Sequence, residues 1–126
     1  MGIEMGLDSF VYSSDVAPDL FISSKERVKY EKEEIMYWRK HYNLHSWMEH
    51  LHFKKYGKTE DMFNCVYLDL DKPDLLKLKK EIYRLNDYDD DDEEYAKVCY
   101  KRDLEFIKNA ISLINEGKYI YYFSWW

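Results

Sequence analysis

The chain reads as a small α+β domain: a mostly antiparallel sheet with about three helices packed on one face. Three observations predict it. Aromatic and β-branched runs near both ends and in the middle alternate as half-buried strands do. Gly/Pro-free stretches with helical apolar spacing separate them. Glycine and proline, at four and two in 126 residues, are too scarce for the many tight turns of a barrel or sandwich.

Taken in order, residues 6–13 (GLDSFVYS) read as a first strand, and residues 19–23, after Pro18, as a short second one. Residues 31–56 contain no Gly or Pro, carry Glu31, Glu33 and Glu34 at one end and Lys54 and Lys55 at the other, and precede Gly57. That polarity suits a helix dipole and predicts one long helix. Projected at about 100° per residue, its apolar side chains fall on two opposed faces. Ile35, Trp38, Tyr42, Phe53 and Tyr56 lie on one, Tyr37, Leu44, Trp47, Met48 and Leu51 on the other. Such a helix is expected to be central and packed on both sides, with Trp38 and Trp47 buried.

Residues 63–70 (FNCVYLDL) predict a strand, and Asp71 with Pro73 predicts the capped start of a second helix. Leu75, Leu78, Ile82 and Leu85 supply its apolar stripe, and Asn86 its end. Residues 87–94 form an acidic loop. A third helix runs to Gly117 from either Glu94 or Asp103, and residues 119–125 (YIYYFSW) close the sheet.

Composition bounds the function. With 46% hydrophobic and 35% charged residues the chain is globular, and residues 1–126 fit one domain. The net charge of −6 is concentrated in seven acidic residues within 87–94, which leaves the remainder at +1. Duplex DNA, which needs a broad basic face, is disfavoured, whereas a small anion requires only a few local cations. No run approaches a membrane span and the start lacks a secretory pattern. Cys65 and Cys99 match no metal or redox spacing, so a reducing cytoplasm is expected.

The polar residues of the 31–56 segment stand out. His41 and His45 are spaced as a metal-chelating pair, but no intervening Glu completes the hydrolytic motif and His52 lies too far along, so no metal is expected. Arg39, Asn43 and Ser46 form a second polar line beside aromatics. A guanidinium and an amide one turn apart can bind phosphate, and indoles can stack a base; alternatively, Arg39 pairs with a carboxylate such as Asp8. The acidic loop lacks the glycine and ligand spacing of a calcium loop. No phosphate-cradling glycine motif and no nucleophile elbow occurs, and no catalytic residues or cofactor are assigned.

Gly6-Leu7-Asp8, the Y-W-R-K-x-x-N-L-H-x-W run of Tyr37 to Trp47, Phe63-Asn64-Cys65 and the closing Tyr122 to Trp126 resemble a family of small proteins from phages and prophage-bearing bacteria. Members typically open M-G-L-D-M-Y, so the resemblance implies that Met5 corresponds to their initiator, with residues 1–4 an extension and Ser9 in place of their usual Met. It also implies an accessory phage product acting in the infected cell, a class that often counters host defence. The expected function is non-catalytic sequestration of a small anionic, nucleotide-like signalling molecule. Arg39 and Lys40 would meet its phosphates, Asp8, Asn43, His45 and Asn64 would hydrogen-bond it, and Trp38, Trp47 or Trp125 would stack on it. The alternative is a protein-binding inhibitor of a host defence complex. The aromatic faces of the last strand further lead us to expect a homo-oligomer.

Overall fold

A computed structural model of the chain describes residues 6–23, 32–57, 63–86 and 93–126. The acidic run from Asp87 to Asp92 and the extension at residues 1–4 lie outside the described residues. Among the described residues eight elements follow one another: β1 (Asp8–Ser14), α1 (Pro18–Ser23), β2 (Glu33–Arg39), α2 (Tyr42–Tyr56), β3 (Tyr67–Leu70), α3 (Lys72–Leu85), α4 (Glu93–Asn115) and β4 (Tyr119–Trp125). The strands form one antiparallel sheet in the order β2-β1-β4-β3. The expected α+β architecture is therefore present.

Alternation along the strands divides the sheet into two faces. Val11, Trp38, Leu68, Leu70, Ile120 and Tyr122 point to the larger core. They meet Leu44, Met48 and Leu51 of α2, the Leu75–Leu78–Ile82–Leu85 stripe of α3, and Phe106, Ile107 and Ala110 of α4. Three helices thus cover this face. The opposite face is aromatic, and α1 covers part of it. Phe21 stacks on Tyr121 with centroids 4.0 Å apart and meets Tyr67 edge-on at 5.0 Å. Residues 19–23 are therefore helical, not a strand, because Leu20 can stay outside while Phe21 drops onto the sheet.

The long helix expected over residues 31–56 is instead a strand, a turn and a helix. Its two apolar faces have a simple origin. Met36 and Trp38 face the helices from β2 while Tyr37 faces the other way, and Leu44, Met48 and Leu51 form the core stripe of α2. The break carries no glycine. Lys40 takes φ 58°, in the left-handed region, and donates its backbone N–H to Leu7 O at 2.7 Å.

The expected 63–70 strand shortens to Tyr67–Leu70, since Cys65 also adopts a positive φ and its N–H turns to Ser124 O. Asp71 caps α3 as expected, with a reciprocal bond between Asp71 and Asp74. Asp103 caps nothing: α4 is continuous from Glu93 to Asn115, with Asp103 buried in its middle.

There the Asp103 carboxylate accepts from Trp38 Nε1 (2.8 Å), Arg102 Nε (2.9 Å), Asn86 Nδ2 (2.9 Å) and His41 Nε2 (3.1 Å). Burial alone would raise this carboxyl, but the bonds from His41, Arg102, Trp38 and Asn86 outweigh it and hold it at about 2. Asp103→Ala should destabilise the fold by about 3 kcal/mol or more, because four donors lose their acceptor. The folded pKa lies below the ordinary 3.8, so the contribution is complete above that value and fades as pH falls towards 2. Urea denaturation of Asp103→Asn and wild type should show their stability difference shrinking by about 2 kcal/mol from pH 6 to pH 2.

The Lys40 turn gives a second test. Lys40→Val should cost at least about 1 kcal/mol more than Lys40→Gly, which tolerates positive φ. Equal melting curves for the two variants would contradict a left-handed residue there.

Candidate functional site

The residues singled out in the sequence do not converge. Trp38, 2% exposed, is a core donor to Asp103 and has no open ring face for a ligand. Asp8, Arg39 and Trp125 share one cross-strand row on the aromatic side of the sheet: Asp8 is in register with both, and its carboxylate accepts from Tyr37 Oη at 2.6 Å. Arg39 ends a strand and so does not continue the helical line of Asn43 and Ser46. Lys40 is exposed at the turn.

Asn64 is engaged at both ends of its amide. Nδ2 donates to Trp126 O at 3.1 Å and Oδ1 accepts from Trp126 N at 3.0 Å. With Trp126 Nε1 donating to Phe63 O, these bonds dock Trp126 against residues 63–64 and leave Trp125 exposed.

His45 lies between α2 and the sheet, with Nδ1 3.0 Å from Tyr122 Oη, which donates to buried Ser9 Oγ at 2.9 Å. Burial lowers the His45 pKa, opposed by Glu49, and raises that of Tyr122. Both groups are therefore neutral near pH 7, and the chain is a linker between helix and sheet. His41 precedes α2 and reaches Asp103, so it does not face outward beside His45 as a chelating pair. No group of three His, Cys, Asp or Glu among the described residues is placed to hold a metal ion.

What the fold does assemble is a groove between α2 and α3. The helices run antiparallel: Asn43, at the start of α2, donates to Leu85 O at the end of α3, while Lys55, near the end of α2, bridges to Asp74 at 2.5 Å. This fixes two outward faces side by side. Trp47, His50 and Lys54 come from α2, and Lys77, Lys80 and Arg84 from α3. They line an open groove of about 720 Å³, floored by Leu51 and Leu85.

Arg84 is paired with Glu81 at 2.7 Å, and both are exposed. Lys54, Lys77 and Lys80 have no carboxylate partner within 4 Å among the described residues. His50 Nδ1 donates to Ser46 O at 2.8 Å, which orients the ring. Of the polar and aromatic residues singled out in the sequence, Asn43, Ser46 and Trp47 line this groove. The cations were missed because they lie on two helices far apart in the chain. The available signal was the i, i+3, i+7 spacing of 47/50/54 and of 77/80/84.

A titration tests the His45 linkage. Since its folded pKa lies below the ordinary 6.5, neutral His45 favours the fold above that value, and the gain is lost as pH falls through the folded pKa. NMR should place the His45 midpoint below 6.5, and Tyr122→Phe should cost about 1 kcal/mol by removing its hydroxyl. A His45 midpoint at or above 6.5 would contradict the burial.

No helix among the described residues is long and apolar enough to cross a membrane. No family model, no curated protein and no solved structure matches the chain.

Proposed function

We propose that the protein binds and sequesters a small anionic, nucleotide-like ligand in the groove between α2 and α3, without transforming it. One observation carries the reading: three lysines, none with a carboxylate within 4 Å among the described residues, line one groove with an indole and an oriented imidazole. Like charges held side by side repel, and a multivalent anion relieves that repulsion. Phosphate oxygens suit Lys54, Lys77 and Lys80, while Trp47 offers an aromatic surface for a base. Leu51 and Leu85 form the apolar floor that small-ligand sites usually have.

Glu81 is the groove's carboxylate, and that group is engaged by Arg84. The resemblance to phage accessory proteins supports placing such capture in the infected bacterial cytoplasm, as a means of depleting a nucleotide signal of host defence. A protein-binding inhibitor of a defence complex is the second reading, favoured by the exposed Trp125 and Tyr37. The same exposed aromatics are what a homo-oligomer would bury, although α1 already covers Tyr121 at the other end of that face.

Calorimetry with a panel of cyclic, linear and oligophosphorylated nucleotides tests the proposal. A member of the panel should bind stoichiometrically and be recovered unchanged. Lys77→Glu with Lys80→Glu should weaken it by at least about a hundredfold, on the scale of charge-assisted contacts, with the melting temperature preserved. Binding that survives this double substitution would place the ligand elsewhere.

A further inference from the structure

The half of the sheet's outer face that α1 leaves open has a different composition from the groove and lies on the other side of the helical layer. The two central strands, β1 and β4, and the edge strand β2 present their rings there. Phe10 is in register with both Tyr37 and Phe123, giving one row of three rings across three strands. The next row, about 7 Å along the strands, contains Arg39, Asp8 and Trp125. Tyr37 and Trp125 are 45% and 50% exposed, and Phe10 and Phe123 are half-buried. The rings brace one another, with Phe10–Tyr37 centroids 5.1 Å apart, so the surface is preformed.

We propose that this open half-face is a stacking platform for a short stretch of single-stranded nucleic acid. Aromatic rings on the central strands of an antiparallel sheet, with helices confined to the opposite face, offer successive bases flat apolar surfaces without demanding a sequence. Charge is arranged to match. The Arg39 guanidinium is exposed and has no ion-pair partner among the described residues. The one carboxylate in the row, Asp8, accepts from the Tyr37 hydroxyl and leaves the ring faces apolar.

A second copy fits the face less well. Face-to-face packing would carry Arg39, Asp8 and the tyrosine hydroxyl into a dry interface, where unpaired charge is costly. A single strand covers the ring faces and leaves those polar edges in water. The assignment is independent of the groove, which shares none of these residues.

Fluorescence anisotropy with labelled ten-nucleotide dT and rU strands, and the dT strand annealed to its complement, tests it. The single strands should bind and the duplex should bind at least tenfold more weakly, since its bases are already stacked. Trp125→Ala should weaken single-strand binding by about tenfold, the scale of one stacked base, and Arg39→Glu should weaken it further at low salt. With one phosphate contact, from Arg39, affinity should fall roughly two- to threefold between 50 and 200 mM salt. Lys77→Glu with Lys80→Glu should change single-strand affinity less than twofold, which separates this surface from the groove. Absence of single-strand binding by the folded wild-type protein overturns the proposal. So does equal loss in the groove variant, or a dimer in sedimentation that Trp125→Ala disperses while no oligonucleotide binds.

Discussion

The structure depends on one buried carboxylate. Asp103, with no solvent exposure, ties four elements together: Trp38 at the end of β2, His41 at the entry to α2, Asn86 at the end of α3, and α4, on which Asp103 itself sits. A carboxylate in an apolar core is costly unless every lone pair is used. Here two donors reach each oxygen: Trp38 and Arg102 bond Oδ1, and His41 and Asn86 bond Oδ2. The constraint is reciprocal. Burying Trp38 in the helical core requires an acceptor for its indole N–H, and satisfying Asp103 requires the chain to turn sharply at Lys40 so that His41 can reach it.

That turn explains what was legible in the sequence and what was not. The first and last strands, α3 and its Asp71 cap could be read because each carries its own local signal: alternation, a leucine stripe, a capping box. The segment from Glu33 to Tyr56 could not, because its boundary lacks punctuation. A left-handed residue is usually announced by Gly, Asn or Asp, whereas here Lys40 occupies it, held by Leu7 and by the anchored neighbours Trp38 and His41. Read at helical period, a strand followed by a helix gives two apolar faces, which is the pattern of a doubly packed helix. The Ile35-Met36-Tyr37-Trp38 run was the signal of a strand. Asp103 left the start of α4 open between Glu94 and itself for a related reason: an N-cap and a buried mid-helix acceptor have the same one-letter code, and only the tertiary donors distinguish them.

The polar candidates divide according to the same partition. Residues of the central motif that looked like one site serve the fold in different places: Trp38 and His41 on Asp103, Asn43 on Leu85, His45 on Tyr122. Each of these bonds ties a helix or the sheet to another element, so this motif is dense in polar and aromatic residues for structural reasons as well. The surface it helps to build lies one step away. Asn43 and Lys55 fix the antiparallel approach of α2 and α3 from its two ends, and the lysines line the groove between those ends.

The disposition of titratable groups bears on capture against turnover. A histidine that works as a base needs both a partner to orient it and an open path to substrate. His41 has its carboxylate but is buried, and His45 has its hydroxyl partner in a half-buried position under Phe63 and Trp126. His50 has the open groove, and its partner is the Ser46 backbone carbonyl, which orients the ring. The groove's lysines supply charge without a paired base. His41 and His45 are thus oriented but enclosed, His50 is oriented by a carbonyl in the open groove, and the groove combines positive charge, an aromatic surface and an apolar floor. Those features suit the anion capture proposed above.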